Sequence, residues 1–150
     1  MFFTKAESTS NLFNEKTFYR QFLKDLEMAQ KEVFIECAYL TASRMEMFYP
    51  VFQRLLSKKI KIRIVSRDPS DHDDEYMRDQ AVNEILRSKE LGVNITLLKG
   101  NHHRKLAIID KKILWEGSLN ILSQNNSKEI MRRHESLEEV VKMLNFLNLL

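Results

Sequence analysis

Three short runs rich in β-branched residues set the strongest limit on what this chain folds into: Val33 to Tyr39 in VFIECAYL, KIKIRIVS at 59–66, and VNITLL at 93–98. In KIKIRIVS, charged and branched residues alternate with a period of two, the pattern of a strand with one buried face. Between the runs lie segments of helical periodicity. Phe18, Phe22, Leu26 and Ala29 recur at three- and four-residue spacing, so a helix is expected from Asn14 to Lys31 with Asn14 as its N-cap. Further helices are expected at 43–58 and at 75–91, the latter ended by Gly92. Strands alternating with helices of this length form βαβ units. The expected class is therefore α/β, with a mixed, mainly parallel sheet and helices on both faces.

At 150 residues, with 43% hydrophobic and 30% charged side chains, the chain is expected to form a single domain over 1–150. Three glycines and two prolines argue against a loop-rich or low-complexity chain. The opening MFFTKAE lacks the basic-then-apolar pattern of a secretory leader, and no run approaches a membrane span, so a cytoplasmic protein without stable membrane association is expected. Cys37 is the sole cysteine, which excludes an intrachain disulfide framework and a thiolate zinc site. It reads as a small buried hydrophobe. The C-terminal VVKMLNFLNLL reads as a helix packed on the sheet, with a dimer contact as the second use.

The formal charge of +3 is uneven. Residues 1–75 carry 12 basic and 12 acidic side chains, whereas residues 76–150 carry 12 and 9. Five of those basic groups fall between Lys99 and Lys112, against the single acid Asp110, and Lys128, Arg132 and Arg133 form a second group. Such a balance suits an anionic ligand. The acidic stretch Asp68, Asp71, His72, Asp73, Asp74 and Glu75 reads as a solvated loop whose last acids favour the start of the next helix, in preference to a hard-metal site. Trp115 and the aromatics Phe13, Phe18, Tyr19 and Phe22 read as core.

The segment NHHRKLAIIDKKILWEGSLN at 101–120 concentrates the reactive groups. KLAIID and ILWEG are strand-like and are joined by the polar turn Asp110-Lys111-Lys112, so a hairpin is expected. Side chains two apart on a strand share a face, which puts His103 with Lys105 and turns His102 away. By the same count Asp110 falls on the opposite face or in the turn, a supporting position. Ser118 and Asn120 are again two apart, just after Gly117, a residue that permits close backbone approach. An imidazole, an ammonium, a hydroxyl and an amide at one end of a sheet suit a phosphate, with Lys105, Ser118 and Asn120 as its binding groups.

His103-x-Lys105, four residues, Asp110, six residues, Gly117-Ser118-x-Asn120 resembles the HKD signature of the phospholipase D superfamily, at that family's spacing. The helix and strand order, the IRIVSRD strand and Glu129 in SKEIMRR extend the likeness to the small single-HKD, endonuclease-like members. The resemblance implies the phospholipase D/nuclease-like fold and a phosphodiesterase that needs no metal or other cofactor. His103 is then the nucleophile that forms a phosphohistidine, Lys105 and Asn120 hold the phosphoryl oxygens, and Glu129 orients the His103 ring. A second histidine has to serve as general acid, and the chain has one HxK. The single-HKD relatives pair two subunits, so a homodimer with a shared site is expected here, acting on DNA or RNA. Two other functions use the same residues: a phosphodiesterase directed at phospholipid, and a nucleic-acid-binding or dimerisation module of a larger helicase or restriction assembly with little turnover.

Overall fold

The computed structural model describes residues 9–150; the opening MFFTKAE segment lies outside the described residues. The strands are β1 (Thr9–Asn14), β2 (Glu32–Cys37), β3 (Lys61–Arg67), β4 (Asn94–Leu98), β5 (Leu106–Ile109), β6 (Ile113–Gly117) and β7 (Ile130–Glu135). The helices are α1 (Phe18–Glu27), α2 (Ala42–Ser57), α3 (Glu75–Leu91) and α4 (Leu137–Phe146), with one 3-10 turn at Pro69–Asp71. The seven strands form one sheet in the order β1-β7-β6-β5-β2-β3-β4.

The mixed sheet and the helices on both faces follow the expectation, but the parallel share is smaller. Only β2–β3 and β3–β4 are parallel, each reached through a helical crossover. The pairs β2–β5, β5–β6, β6–β7 and β1–β7 are antiparallel. Two of those antiparallel strands carry no clear period. β1 is the polar stretch TSNLFN at the sheet edge, and β7, IMRRHE, spends its charges on specific partners. The start of α1 also moves. Asn14 ends β1, and its Oδ1 accepts from the backbone N–H groups of Lys16 and Thr17 in the turn that follows, so the helix begins at Phe18 with Thr17 at the N-cap position. Phe13 accordingly lies on β1, although its ring still meets Trp115 edge-on at 5.0 Å.

Two apolar clusters sandwich the sheet. Phe18, Phe22, Met45, Phe48, Phe52 and Ile85 from α1, α2 and α3 bury one face against Val33, Ile35, Ala107 and Trp115. On the other face Val140 and Leu144 of α4 pack on Leu106, Ile108 and Leu114. The C-terminal apolar run thus covers the sheet. Cys37 is fully buried, and burial pushes its thiol up to about 12.

Trp115 is completely buried, so its indole N–H needs a partner inside the core. Asp25 Oδ2 accepts it at 2.8 Å, and the same carboxylate accepts from Arg133 Nε and Nη2 at 2.8 and 2.9 Å. Asp25 is 5% exposed and thus holds α1, β6 and β7 together as one buried ionic node. Arg133, one of the basic residues that suggested an anionic ligand, is spent on this node. Asp25→Ala leaves the indole N–H buried without a partner and the Arg133 guanidinium with only the half-exposed Glu135 carboxylate, and a loss of about 3 kcal/mol is expected. Urea unfolding followed by Trp115 fluorescence measures it.

Candidate active site

Pairing directions decide which residues meet. β5 runs antiparallel to β2, so the segment 101–105 that feeds it lies beside the C-terminal ends of β2 and β3. β6 turns back along β5 and delivers Gly117–Asn120 to that same end, and β7, antiparallel to β6, starts there just after Glu129. Ligands of open α/β sheets collect beyond the carboxyl ends of the parallel strands. His103, Lys105, Ser118, Asn120 and Glu129 all lie at this end. Asp110 lies at the opposite one, in the hairpin turn, where Asp110 and Lys111 have φ of 55° and 54°. Its carboxylate accepts from the backbone N–H groups of Gln30, Lys31 and Glu32 at 2.8–3.0 Å. Burial opposes ionisation of Asp110, but the bonds from Glu32, Gln30 and Lys31 outweigh it and its pKa is lowered.

The segment 101–105 is not itself a strand. Gly100 and Asn101 adopt φ of 97° and 64°, which redirects the chain, and β5 begins only at Leu106. The two neighbouring histidines nevertheless part. His103 is exposed, with Nε2 3.2 Å from Asn101 Oδ1 and its ring edge-on to Tyr39 at 6.2 Å. His102 turns inward, where Nε2 lies 2.8 Å from Glu36 Oε1 without the alignment of a hydrogen bond. Burial lowers the His102 pKa, helped by Arg104, His103 and Lys105, and burial raises that of Glu36 against the pull of Arg104 and Arg63. Both groups are pushed toward their neutral forms.

Lys105 folds its Nζ onto the carbonyl oxygen of His103 at 2.6 Å, so ammonium and imidazole share one corner. Asn120 is buried, and its Oδ1 accepts from Ala38 N–H at 3.2 Å. That bond sets the amide orientation and leaves the Nδ2 hydrogens without a protein acceptor among the described residues. Ser118 is otherwise engaged: its Oγ accepts from Ile130 N–H at 3.0 Å and donates to Ile130 O at 3.4 Å. Gly117 is approached closely by β7 rather than by a ligand, since an added Cβ collides with the Ile130 carbonyl. The Glu129 carboxylate accepts from Ser127 Oγ at 2.6 Å, and no hydrogen bond joins it to His103 within the chain.

The periodicity gave no sign of Tyr39, Arg67 and His72. Tyr39 stacks on His72 with centroids 5.0 Å apart, and Arg67 donates to Tyr39 Oη at 3.1 Å and to Asp71 O at 2.6 Å. Tyr39 and Arg67 lie at the ends of parallel strands, and that position is the signal that would have found them. Three acids of this loop have structural partners. Asp68 accepts from Ser70 N–H, Asp71 from Gly100 N–H, and Asp74 caps α3 through Met77 N–H. Among the described residues no group of three or more His, Cys, Asp or Glu is arranged to hold a metal ion.

An open cleft of about 590 Å³ adjoins His103 and Lys105, lined also by Arg104, Arg132, Leu12 and Phe146. His103 and Lys105 at this cleft, with the Asn120 amide at the same end of the sheet, are groups whose chemistry suits a phosphate. The family model described as "Cardiolipin synthase, PLD-like domain" matches residues 22–145, and the chain belongs to this phospholipase D-like family. NucT from Helicobacter pylori has the same fold, with a TM-score of 0.70 and 24% identity over 93% of both chains. Nuc from Salmonella typhimurium, a phospholipase D family member, matches with a TM-score of 0.72 and 13% identity over 93% of this chain and 91% of its own. Phosphatidylserine synthase from Haemophilus influenzae matches with a TM-score of 0.67 and 13% identity over 91% of this chain and 37% of its own. No curated protein matches the chain in sequence.

Burial and the nearby cations Lys105 and Arg67 lower the His103 pKa, so the neutral, nucleophilic imidazole persists to more acid pH. His103 is expected to titrate below the ordinary imidazole value of about 6.5. In Lys105→Met one of those repelling charges is gone, and the His103 pKa is expected to rise. Imidazole NMR titration of the two proteins reads both directions.

Proposed function

We propose that the protein is a metal-independent phosphodiesterase that cleaves nucleic acid through a phosphohistidine, at a centre shared by two copies of the chain. The observation that carries this reading is His103 and Lys105 in one corner at the sheet end that also holds Asn120. In the first step His103 attacks phosphorus, the bond to the leaving oxygen breaks, and a general acid gives that oxygen its proton. In the second step water attacks phosphorus, the same group removes the water's proton, and the phosphorus–nitrogen bond breaks to restore His103. Lys105 and the Asn120 amide stabilise the charge on the phosphoryl oxygens as it shifts. An orienting role for Glu129 belongs to this reading and requires its carboxylate to leave Ser127.

The second imidazole is what argues for two subunits. His102 is turned against Glu36, His72 is 5% exposed behind Tyr39, and His134 Nε2 pairs with Glu116 at 3.0 Å. None is free to protonate a leaving oxygen at His103. A two-fold axis past His103 supplies the missing group, and isologous pairing is the commonest oligomer symmetry.

Nucleic acid is the favoured substrate because Arg104, Lys105 and Arg132 line the cleft around His103. The match to NucT and Nuc also runs nearly the whole length of those chains. A phospholipid substrate is the second reading, carried by Leu12, Ile130 and Phe146, which are more than 60% exposed beside the same cleft. Among the described residues no helix is long and apolar enough to cross a membrane.

Two experiments test the proposal. With His103 and its mate supplying nucleophile and acid, no bound ion has to generate hydroxide, so cleavage of labelled DNA or RNA is expected to persist in EDTA. Loss with chelator and rescue by magnesium or zinc overturns the mechanism, and turnover of phospholipid alone moves the substrate to the second reading. The shared centre is tested with differentially tagged heterodimers of wild type and His103→Ala. These retain one imidazole at the centre and are expected to fall far below half of wild-type turnover per dimer. Two independent centres give about half, because one remains intact.

A further inference from the structure

Beyond the cleft that holds His103, the same end of the sheet carries a second, polar pocket of about 330 Å³. The two are neighbours through one stretch of chain: Gly117 lines the first, and Leu119 and Ser123 line the second. Asn120 lies between Leu119 and Ser123 in sequence, and its backbone oxygen accepts from Ser123 N–H at 3.2 Å and, at 3.5 Å, from Tyr19 Oη. The lining of the second pocket holds three cations, Lys16, Arg44 and Lys128, and one carboxylate, Glu15. Glu15 is occupied, because it accepts from the backbone N–H of Glu129 at 3.1 Å.

Arg44 distinguishes this pocket from an ordinary basic surface. On the neighbouring helical surface Arg54 pairs with Glu27, and Arg87 pairs with Glu46. Arg44 has no carboxylate partner among the described residues. Its guanidinium lies over the Tyr19 ring, 3.8 Å from the centroid, and its nearest hydrogen-bonding partner is the weak acceptor Met47 Sδ at 3.7 Å. Its Nε is buried with no partner among the described residues. The ring beneath it is fixed in turn, since Tyr19 Oη donates to Ile121 O at 2.8 Å. A preorganised guanidinium with unused donors, flanked by two lysines and the amides of Asn125 and Asn126, is complementary to phosphate oxygens.

We infer that this pocket holds the backbone phosphates of a nucleic-acid strand next to the one being cleaved, with Arg44 as the principal contact and Lys16 and Lys128 beside it. The inference rests on the phosphodiesterase reading for its location on the substrate path. It adds a reason for polynucleotide over lipid, because a glycerophospholipid has one diester phosphate to offer, or two in cardiolipin, and a strand has further phosphates at regular spacing to occupy a second cationic pocket.

Binding tests the pocket separately from turnover. A labelled oligonucleotide of about 20 nucleotides is titrated against His103→Ala, His103→Ala with Arg44→Leu, and His103→Ala with Lys128→Gln, by fluorescence anisotropy over a salt series. Arg44→Leu is expected to weaken binding about tenfold and to flatten the slope of log Kd against log salt by about 0.7–0.9, the release expected for one lost phosphate contact. Lys128→Gln, on an exposed loop, is expected to act in the same direction and stands in if the Arg44 variant does not fold. Vesicles of anionic phospholipid, used in place of the oligonucleotide, are expected to bind without regard to Arg44 or Lys128. Unchanged oligonucleotide affinity and salt slope in the folded variants, or a loss confined to the vesicles, overturns the inference. Failure of the phosphodiesterase reading shows instead as absence of wild-type turnover, which these binding curves do not depend on.

Discussion

The Asp110 carboxylate is the contact on which the site depends, although it lies at the far end of the sheet from it. By accepting the backbone N–H groups of Gln30, Lys31 and Glu32, it ties the hairpin turn to the start of β2. That tie accompanies the register in which Val33 faces Ile109 and Glu36 faces Leu106. It also steadies a turn in which Lys111 holds a left-handed conformation, a cost of about 1–2 kcal/mol for a side chain of this kind. From the turn, strands of four and five residues carry both arms of the hairpin back to one end. His103 and Lys105 arrive on one arm and Gly117–Asn120 on the other. A slip by one residue exchanges the two faces of β5 and destroys the arrangement.

Charge is distributed by the same logic. Several acids and cations away from the candidate site are matched: Asp25 with Arg133, Glu27 with Arg54, and Glu46 with Arg87. Cations at the end of the sheet that holds His103 are left with few carboxylates, as with Lys105 on a carbonyl oxygen and Arg44 on an aromatic ring. A net charge of +3 therefore understates the field at the sheet end. Burial of the Asp25 node lets β7 carry two arginines in a strand without opposing the core.

How far the fold was legible depended on whether a segment's own pattern decided its structure. KIKIRIVS and VNITLL announced β3 and β4, and Gly92, with φ of 115°, ended α3 where a left-handed residue was needed. β1 and β7 were silent, because TSNLFN and IMRRHE become strands through pairing with each other and through Arg133 reaching Asp25. Missing them inflated the parallel share of the sheet. Asn14 had the chemistry of a helix cap, but it uses that chemistry in the turn before the helix.

For the candidate site, residue type and spacing were enough to bring His103, Lys105, Gly117, Ser118 and Asn120 to one end of the sheet, because a hairpin maps offsets along the chain onto one end. Local order also told His102 from His103, since neighbouring side chains on extended backbone diverge. What each group touches was beyond such reasoning. The engagement of Ser118 with Ile130, the Asn120 amide turned by Ala38, the Glu129 carboxylate on Ser127, and the Tyr39–His72–Arg67 cluster all join residues from separate elements. Their hydrogen bonds exist only after β2, β3, β5, β6 and β7 are laid side by side. The chain's own pattern specifies which chemistry is available and on which element it rides; the packing of those elements specifies which donors remain free to meet a phosphate.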